Sequence, residues 1–207
     1  MLWQHALLNP QRIIALANMS VPFKVREPSE PVAFWEKMLG EEFYLVHFNR
    51  YPDVAARSFE SNVRRTLQNL YRTDHWLDSS PAQPDGYTIV KSAEIDNTRG
   101  KLMLNEEDLT VFVEAFEQGG FVAPCNWYRN FTRNWQTMAE IPQTIDLPCL
   151  MIYGEYDMVP KIDMTSSVAN LEVKTLSCGH WIQQEQPEKT NQILLEWLDR
   201  VVKPMLD

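Results

Sequence analysis

Basic charge is in short supply in this chain. Lys and Arg number 19 against 28 Asp and Glu, a formal net charge of −9. A nucleic-acid partner favours a basic face, and no run of basic residues provides one, so no nucleic-acid partner is expected. Cysteine is also scarce: Cys125, Cys149 and Cys178 are odd in number, widely spaced and without a Cys-x-x-Cys, which indicates neither a disulfide framework nor a zinc site. That usage fits a reducing compartment, and a cytoplasmic location is the expectation. No apolar segment reaches the ~18 residues that a membrane span needs. The first ten residues, MLWQHALLNP, have no basic region ahead of them and no small-residue cleavage site behind, so no signal peptide is expected. Internal repeats and low-complexity tracts are absent. What the chain does hold is 44% hydrophobic and 11% aromatic residues over a length of 207, enough for a substantial core rather than a disordered chain.

Two stretches share one build. Leu147 to Pro160, LPCLMIYGEYDMVP, is a continuous apolar run, then a glycine, then Asp157 where a strand gives way to a loop. Leu171 to Asp199 begins with a strand-like run through Val173, Leu176 and Cys178, read as buried. It passes through Gly179-His180-Trp181 and enters a helix near Pro187. Each strand end therefore presents one polar group at the sheet edge where ligands and catalytic side chains collect in open α/β sheets. An acid followed by a histidine gives the second and third members of the order nucleophile, acid, histidine used by the α/β-hydrolase fold. Taken singly, the strings also suit a capping aspartate and a loop histidine without chemistry. The order and the placement join them.

The remaining elements follow from spacing. Residues 2–9 read as an apolar helix stopped by Asn9-Pro10, and Ile13 to Val21 as a buried strand ending at Pro22. From Lys24 to Thr137 strand signals vanish and helical spacing takes over, in Pro31 to Leu39, Asp53 to Tyr71 and Glu106 to Glu117. Asn105 is placed to cap the last of these, with Gly119-Gly120 as its stop. Residues 78–100 are polar, with two prolines and two glycines, and read as a long surface loop of the kind that forms lids. A final helix runs from Pro187 to about Val202 with Ile193, Leu194, Trp197 and Leu198 on one side. The expected organisation is α/β: a core segment over 1–23, a helical insertion over 24–140, and a C-terminal core segment over 141–207.

The string Gly120-Phe-Val-Ala-Pro-Cys-Asn-Trp-Tyr-Arg-Asn-Phe-Thr-Arg-Asn-Trp135 resembles the cap segment of soluble-type epoxide hydrolases of the α/β-hydrolase superfamily, with Asn126-Trp127-Tyr128-Arg129-Asn130 as its most specific part. Similar stretches run through Trp3 to Pro22, Phe43 to Leu70, Gly154 to Pro160, and Cys178 to Trp181 on through Asn191 to Leu194. The resemblance covers nearly the whole chain apart from 78–100, and matches the C-terminal two thirds of the family pattern. It implies an incomplete α/β-hydrolase fold carrying a helical cap.

By that resemblance His180 stands at the general base, Asp157 at the acid that orients it, and Tyr128 and Tyr44 at the two cap phenols. The implied reaction is hydrolysis of a small apolar epoxide by water to a vicinal diol, through an aspartyl ester, with no metal and no organic cofactor. Phenol donors suit a developing alkoxide, and a neutral imidazole suits activation of water. From the residues alone, a tyrosine in a Trp- and Asn-rich string also suits a core position with its hydroxyl satisfied.

The family's nucleophile turn and its His-Gly-x-Pro segment have no counterpart here, and no Asp or Glu lies between Met1 and Lys24. The expectation is a truncated form, inactive alone, whose exposed apolar faces and strand edges invite a complementing fragment or an oligomeric partner. Two other readings stay open. A haloalkane-type dehalogenase shares the fold, and the seven tryptophans could supply donors for a halide. A non-catalytic interaction remnant would retain the cap without the nucleophile.

Overall fold

A parallel three-stranded sheet in the order β1-β2-β3 joins the two ends of the chain. Its strands are β1 (Leu16–Met19), β2 (Ile145–Gly154) and β3 (Val168–Leu176). The computed structural model describes residues 2–72, 89–91, 93–94 and 101–206.

The central strand explains the layering. Successive side chains of a strand point to opposite faces, and β2 is buried on both. Cys149, Met151 and Tyr153 enter one cluster with Trp3 and Ala6, whereas Leu150 and Ile152 enter another with Ile182 and Trp197. One face is thus covered by α1 (Leu2–Leu8), the other by α9 (Ile182–Glu185) and α10 (Pro187–Trp197). Burial on both sides is why β2 reads as an unbroken apolar run. Leu150, Met151 and Ile152 are wholly inaccessible, each contributing about 1.5–3 kcal/mol by area.

The strands flanking β2 differ from their sequence reading. β1 is four residues long, not nine: a 3-10 turn over Pro10–Arg12 occupies the approach. Ser20, at φ 62°, then turns the chain out of the sheet. β3 was expected to be buried, but most of its middle is exposed or half-buried. It is an outer strand whose solvent face carries Glu172, paired to Lys174 at 3.2 Å and to Arg200 at 2.5 Å. Charge on such a strand disfavours edge-to-edge pairing.

The chain divides into two compact units, Met1–Arg26 with Met138–Asp207, and Glu27–Thr137. The second is helical: α2 (Pro31–Leu39), α3 (Tyr44–Arg50), α4 (Pro52–Glu60), α5 (Val63–Leu70), α6 (Glu106–Gly119), α7 (Val122–Asn126) and α8 (Phe131–Thr137). Asp53 to Tyr71, read as one helix, is two. The break falls at Ser61-Asn62, where the Asn62 side chain accepts the Arg65 N–H at 3.0 Å and starts α5 afresh. Asn105 caps α6 through the Asp108 N–H at 2.8 Å, and Gly120, at φ 68°, ends it. Phe48, Phe59, Leu67, Leu109 and Phe121 form the main core of this unit. The expected long loop over 78–100 falls mostly outside the described residues; within it Ile89–Lys91 forms a 3-10 turn.

Candidate active site

The register of β2 on β3 pairs Gly154 with Leu176, the last residue of each strand. Two loops therefore leave the sheet side by side from one edge. Their backbones remain zipped: the Glu155 N–H donates to the Leu176 carbonyl at 2.8 Å, and the Tyr156 N–H to that of Cys178 at 3.0 Å. Gly154 makes this approach possible. A Cβ there would fall 2.1 Å from the Gly179 carbonyl oxygen and 2.8 Å from that of Cys178, so only glycine fits.

The consequence is a short distance between two side chains 23 residues apart. His180 Nδ1 lies 3.0 Å from Asp157 Oδ1 and 3.2 Å from Oδ2. The Asp157 side chain is 0% exposed and that of His180 27%. Asp157 Oδ1 also accepts the Val159 N–H at 2.9 Å, which fixes the carboxylate plane from its own loop. An ionised carboxylate only accepts hydrogen bonds, so the tautomer that suits this pair has the proton on Nδ1 and the lone pair on Nε2. A neutral imidazole held in that tautomer can take a proton at Nε2. The carboxylate then stabilises the imidazolium that results.

Further contacts hold the histidine loop, and sequence reading missed the residues that make them. The Ser20 hydroxyl donates to the His180 carbonyl at 2.9 Å. Glu185 accepts the Gly179 N–H at 2.9 Å and the Trp181 N–H at 3.1 Å. Burial pushes the Glu185 carboxyl above its ordinary range, with Asp157 adding to the rise against the two N–H bonds and His180. Burial also pushes the Cys178 thiol up to about 11, with Glu185 and Asp157 contributing, so Cys178 stays a thiol beside the site. No motif announces Ser20 or Glu185, because both act through backbone groups brought near by the turn after β1 and by α9. Among the described residues no cluster of His, Cys, Asp or Glu could hold a metal ion.

In the helical unit, Tyr44 and Tyr128 come together. Their ring centroids are 6.0 Å apart at 74°, an edge-to-face pair. Phe48 packs against both, at 5.7 Å from Tyr44 and 4.9 Å from Tyr128. Tyr44 opens α3, whereas Tyr128 lies in a 3-10 turn over Trp127–Asn130. Asn49, from α3, donates to the Tyr128 carbonyl at 2.7 Å and ties that turn to the helix. Burial, with a smaller effect from Cys125, raises the Tyr128 phenol above its usual value, so it is a neutral donor at neutral pH. The structure thus joins Asp157 to His180 in one unit, and Tyr44 to Tyr128 in the other.

No family model matches the chain. Individual relatives do. Epoxide hydrolase B of Mycobacterium tuberculosis is 32% identical over 251 residues, an alignment that takes in 95% of this chain and 68% of that protein. Bifunctional epoxide hydrolase 2 of Sus scrofa is 32% identical over 216 residues, 100% of this chain but 38% of the relative. The chain thus spans under two fifths of that mammalian protein. Among solved structures, epoxide hydrolase A from Mycobacterium thermoresistibile superposes with a TM-score of 0.80 at 28% identity, over 95% of this chain and 65% of that one. The three parallel strands and their covering helices are therefore part of an α/β-hydrolase fold, and the chain belongs to the epoxide hydrolase family.

Proposed function

We propose that this chain supplies the water-activating and oxygen-protonating half of an epoxide hydrolase site, and that the carboxylate which opens the ring lies outside these 207 residues. The observation that carries the reading is the Asp157–His180 hydrogen bond at 3.0 Å, at the paired ends of β2 and β3, in a chain of this family. The tyrosine pair supports it from the helical unit.

The division of labour follows from the chemistry. Attack of a carboxylate on a ring carbon breaks the C–O bond and leaves negative charge on the former epoxide oxygen. Tyr44 and Tyr128 donate hydrogen bonds to that oxygen, and one phenol proton passes to it. A phenol, even with its pKa raised, is far more acidic than the alcohol that forms. The product of this step is an ester. His180 Nε2 then removes a proton from water as the water oxygen attacks the ester carbonyl, while Asp157 balances the imidazolium charge. Collapse of the tetrahedral intermediate releases the diol and restores the carboxylate, and His180 gives its proton to solvent while the phenolate takes one from it, so both return to their starting states. Every step uses side chains and water, with no cofactor. The substrate class is a small apolar epoxide, in keeping with the aromatic surroundings of both tyrosines.

The test is turnover of a styrene-type epoxide. The chain alone should yield diol no faster than buffer. Mixed with the part of the Mycobacterium tuberculosis relative that it does not match, it should yield diol, and Tyr44→Phe with Tyr128→Phe should lower that rate by a factor of at least about 100, the loss that removing one such donor brings by itself. Rapid turnover by the isolated chain, or a complemented double variant as fast as the parent, would sink the reading.

A further inference from the structure

The tip of the β3 loop is held at more points than an acid and a base require. Gly179 and Trp181 flank His180 in sequence, and both of their N–H groups point at one side chain. Glu185 Oε2 accepts the Gly179 N–H at 2.9 Å, and Oε1 accepts the Trp181 N–H at 3.1 Å. The carboxylate reaches back because α9 is a single turn that begins immediately after Trp181. We propose that Glu185 is a positioning residue for His180: it clamps the peptides on either side of the imidazole and so fixes the ring against Asp157. The inference rests on reading His180 as the base, and its test is independent of turnover.

Three features of the clamp support this role. The first is geometric complementarity, since a carboxylate offers acceptors on both oxygens. Glutamine offers one and would turn an N–H₂ against a peptide N–H; aspartate falls one methylene short. The second is cost. A half-buried carboxylate near the inaccessible carboxylate of Asp157 is unfavourable unless both oxygens are well hydrogen-bonded, and burial and Asp157 both push Glu185 toward its neutral form. The two N–H bonds, and His180 to a smaller degree, are what oppose that push. The third is completeness: Ser20 holds the His180 carbonyl at 2.9 Å, and the Tyr156 N–H holds the Cys178 carbonyl at 3.0 Å. With Glu185 in place, the backbone is gripped on both sides of the histidine.

The experiment uses the full chain, labelled with ¹⁵N, and compares it with Glu185→Ala and Glu185→Gln. The control is Glu188→Gln, at an exposed site in the first turn of α10. Three quantities are read: amide exchange at Gly179 and Trp181, the His180 Nδ1–H resonance, and the urea midpoint. Both Glu185 variants should speed exchange at those two amides at least about tenfold and broaden or abolish the Nδ1–H signal, while the control changes neither. A merely structural role would lower the midpoint and speed the two amides but leave the ring signal as it was; that result overturns the proposal. If neither variant folds, the unmodified chain decides. Protection of Gly179 and Trp181 by about 100-fold or more over free peptide supports the clamp, and exchange near the free-peptide rate refutes it.

Discussion

Replacing Gly154 by alanine should separate Asp157 from His180 without touching either. The added Cβ would stand 2.1 Å from the Gly179 oxygen, where real contacts do not fall under 3.0 Å, so the Gly179 peptide must retreat by about 0.9 Å. The obstacle is backbone, with the Cys178 oxygen 2.8 Å away behind it, so no side-chain rotation relieves the clash. His180 is the next residue. A shift of that size carries Nδ1 from 3.0 Å toward about 3.9 Å from Asp157 Oδ1, beyond hydrogen-bonding range. Overpacking of this kind costs about 1–3 kcal/mol, and loss of a charge-assisted hydrogen bond about 1.5–3 kcal/mol. Because the two losses are coupled, the total lies between the larger single loss and their sum, and about 2 kcal/mol is the expected cost. With a urea slope of about 2 kcal/mol per molar, the midpoint of the sheet unit should fall by about 1 M, read by tryptophan fluorescence. The His180 Nδ1–H resonance should be lost in the same sample. A midpoint within about 0.2 M of the parent, with that resonance intact, would refute the claim that the two loops meet at Gly154.

Other outcomes follow from the same structure. Burial pushes each of Cys125, Cys149 and Cys178 up to about 11. Against an unfolded thiol near 9.0, thiolate at pH 8 is about 100-fold scarcer in the folded chain; a thiol-specific dye should therefore react on the order of 100-fold faster in urea, and equal rates would contradict the burial. Asn105→Ala removes the α6 cap at 2.8 Å and should destabilise the helical unit by about 1 kcal/mol in urea titrations. Glu172 has its carboxyl lowered first by the hydrogen bond from Arg200, then, against burial, by Lys174. A lowered folded pKa gives stability that is present above the ordinary carboxylate range and lost as pH falls through the folded value. The pair is largely exposed, so the increment is at most about 0.5 kcal/mol. Arg200→Gln should remove it at pH 6 and make no difference near pH 2, as compared by urea midpoints at the two pH values.

Much of the site could be read in the sequence because its parts lie in strings whose geometry is local. The apolar run before Gly154 had to be a buried strand, and an aspartate three residues past its end had to sit at the sheet edge. The Gly179-His180 turn after β3 made the same kind of statement. Tyr44 and Tyr128 are singled out only by resemblance to the family, in two separate stretches. Nothing in their spacing says that residues so far apart will pack edge to face. Helix α3 and the break at Asn62 escaped notice for a related reason, since short helices in a crowded bundle are fixed by packing and caps more than by periodicity. β3 reads as buried from Val173 and Leu176, yet it is an outer strand: strand position in a sheet is a tertiary fact. Ser20 and Glu185 were invisible because their partners are peptide groups brought near only by folding.

The most direct test of the account lies in the mass of one variant. The chain carrying His180→Gln is combined with the unmatched part of the Mycobacterium tuberculosis relative and given a styrene-type epoxide. Intact-protein mass spectrometry should then find the relative's segment heavier by one epoxide, with no continuing diol formation, because the ester forms and water is no longer activated. Steady diol production by that variant at the parent's rate would contradict the assignment of His180 as the base.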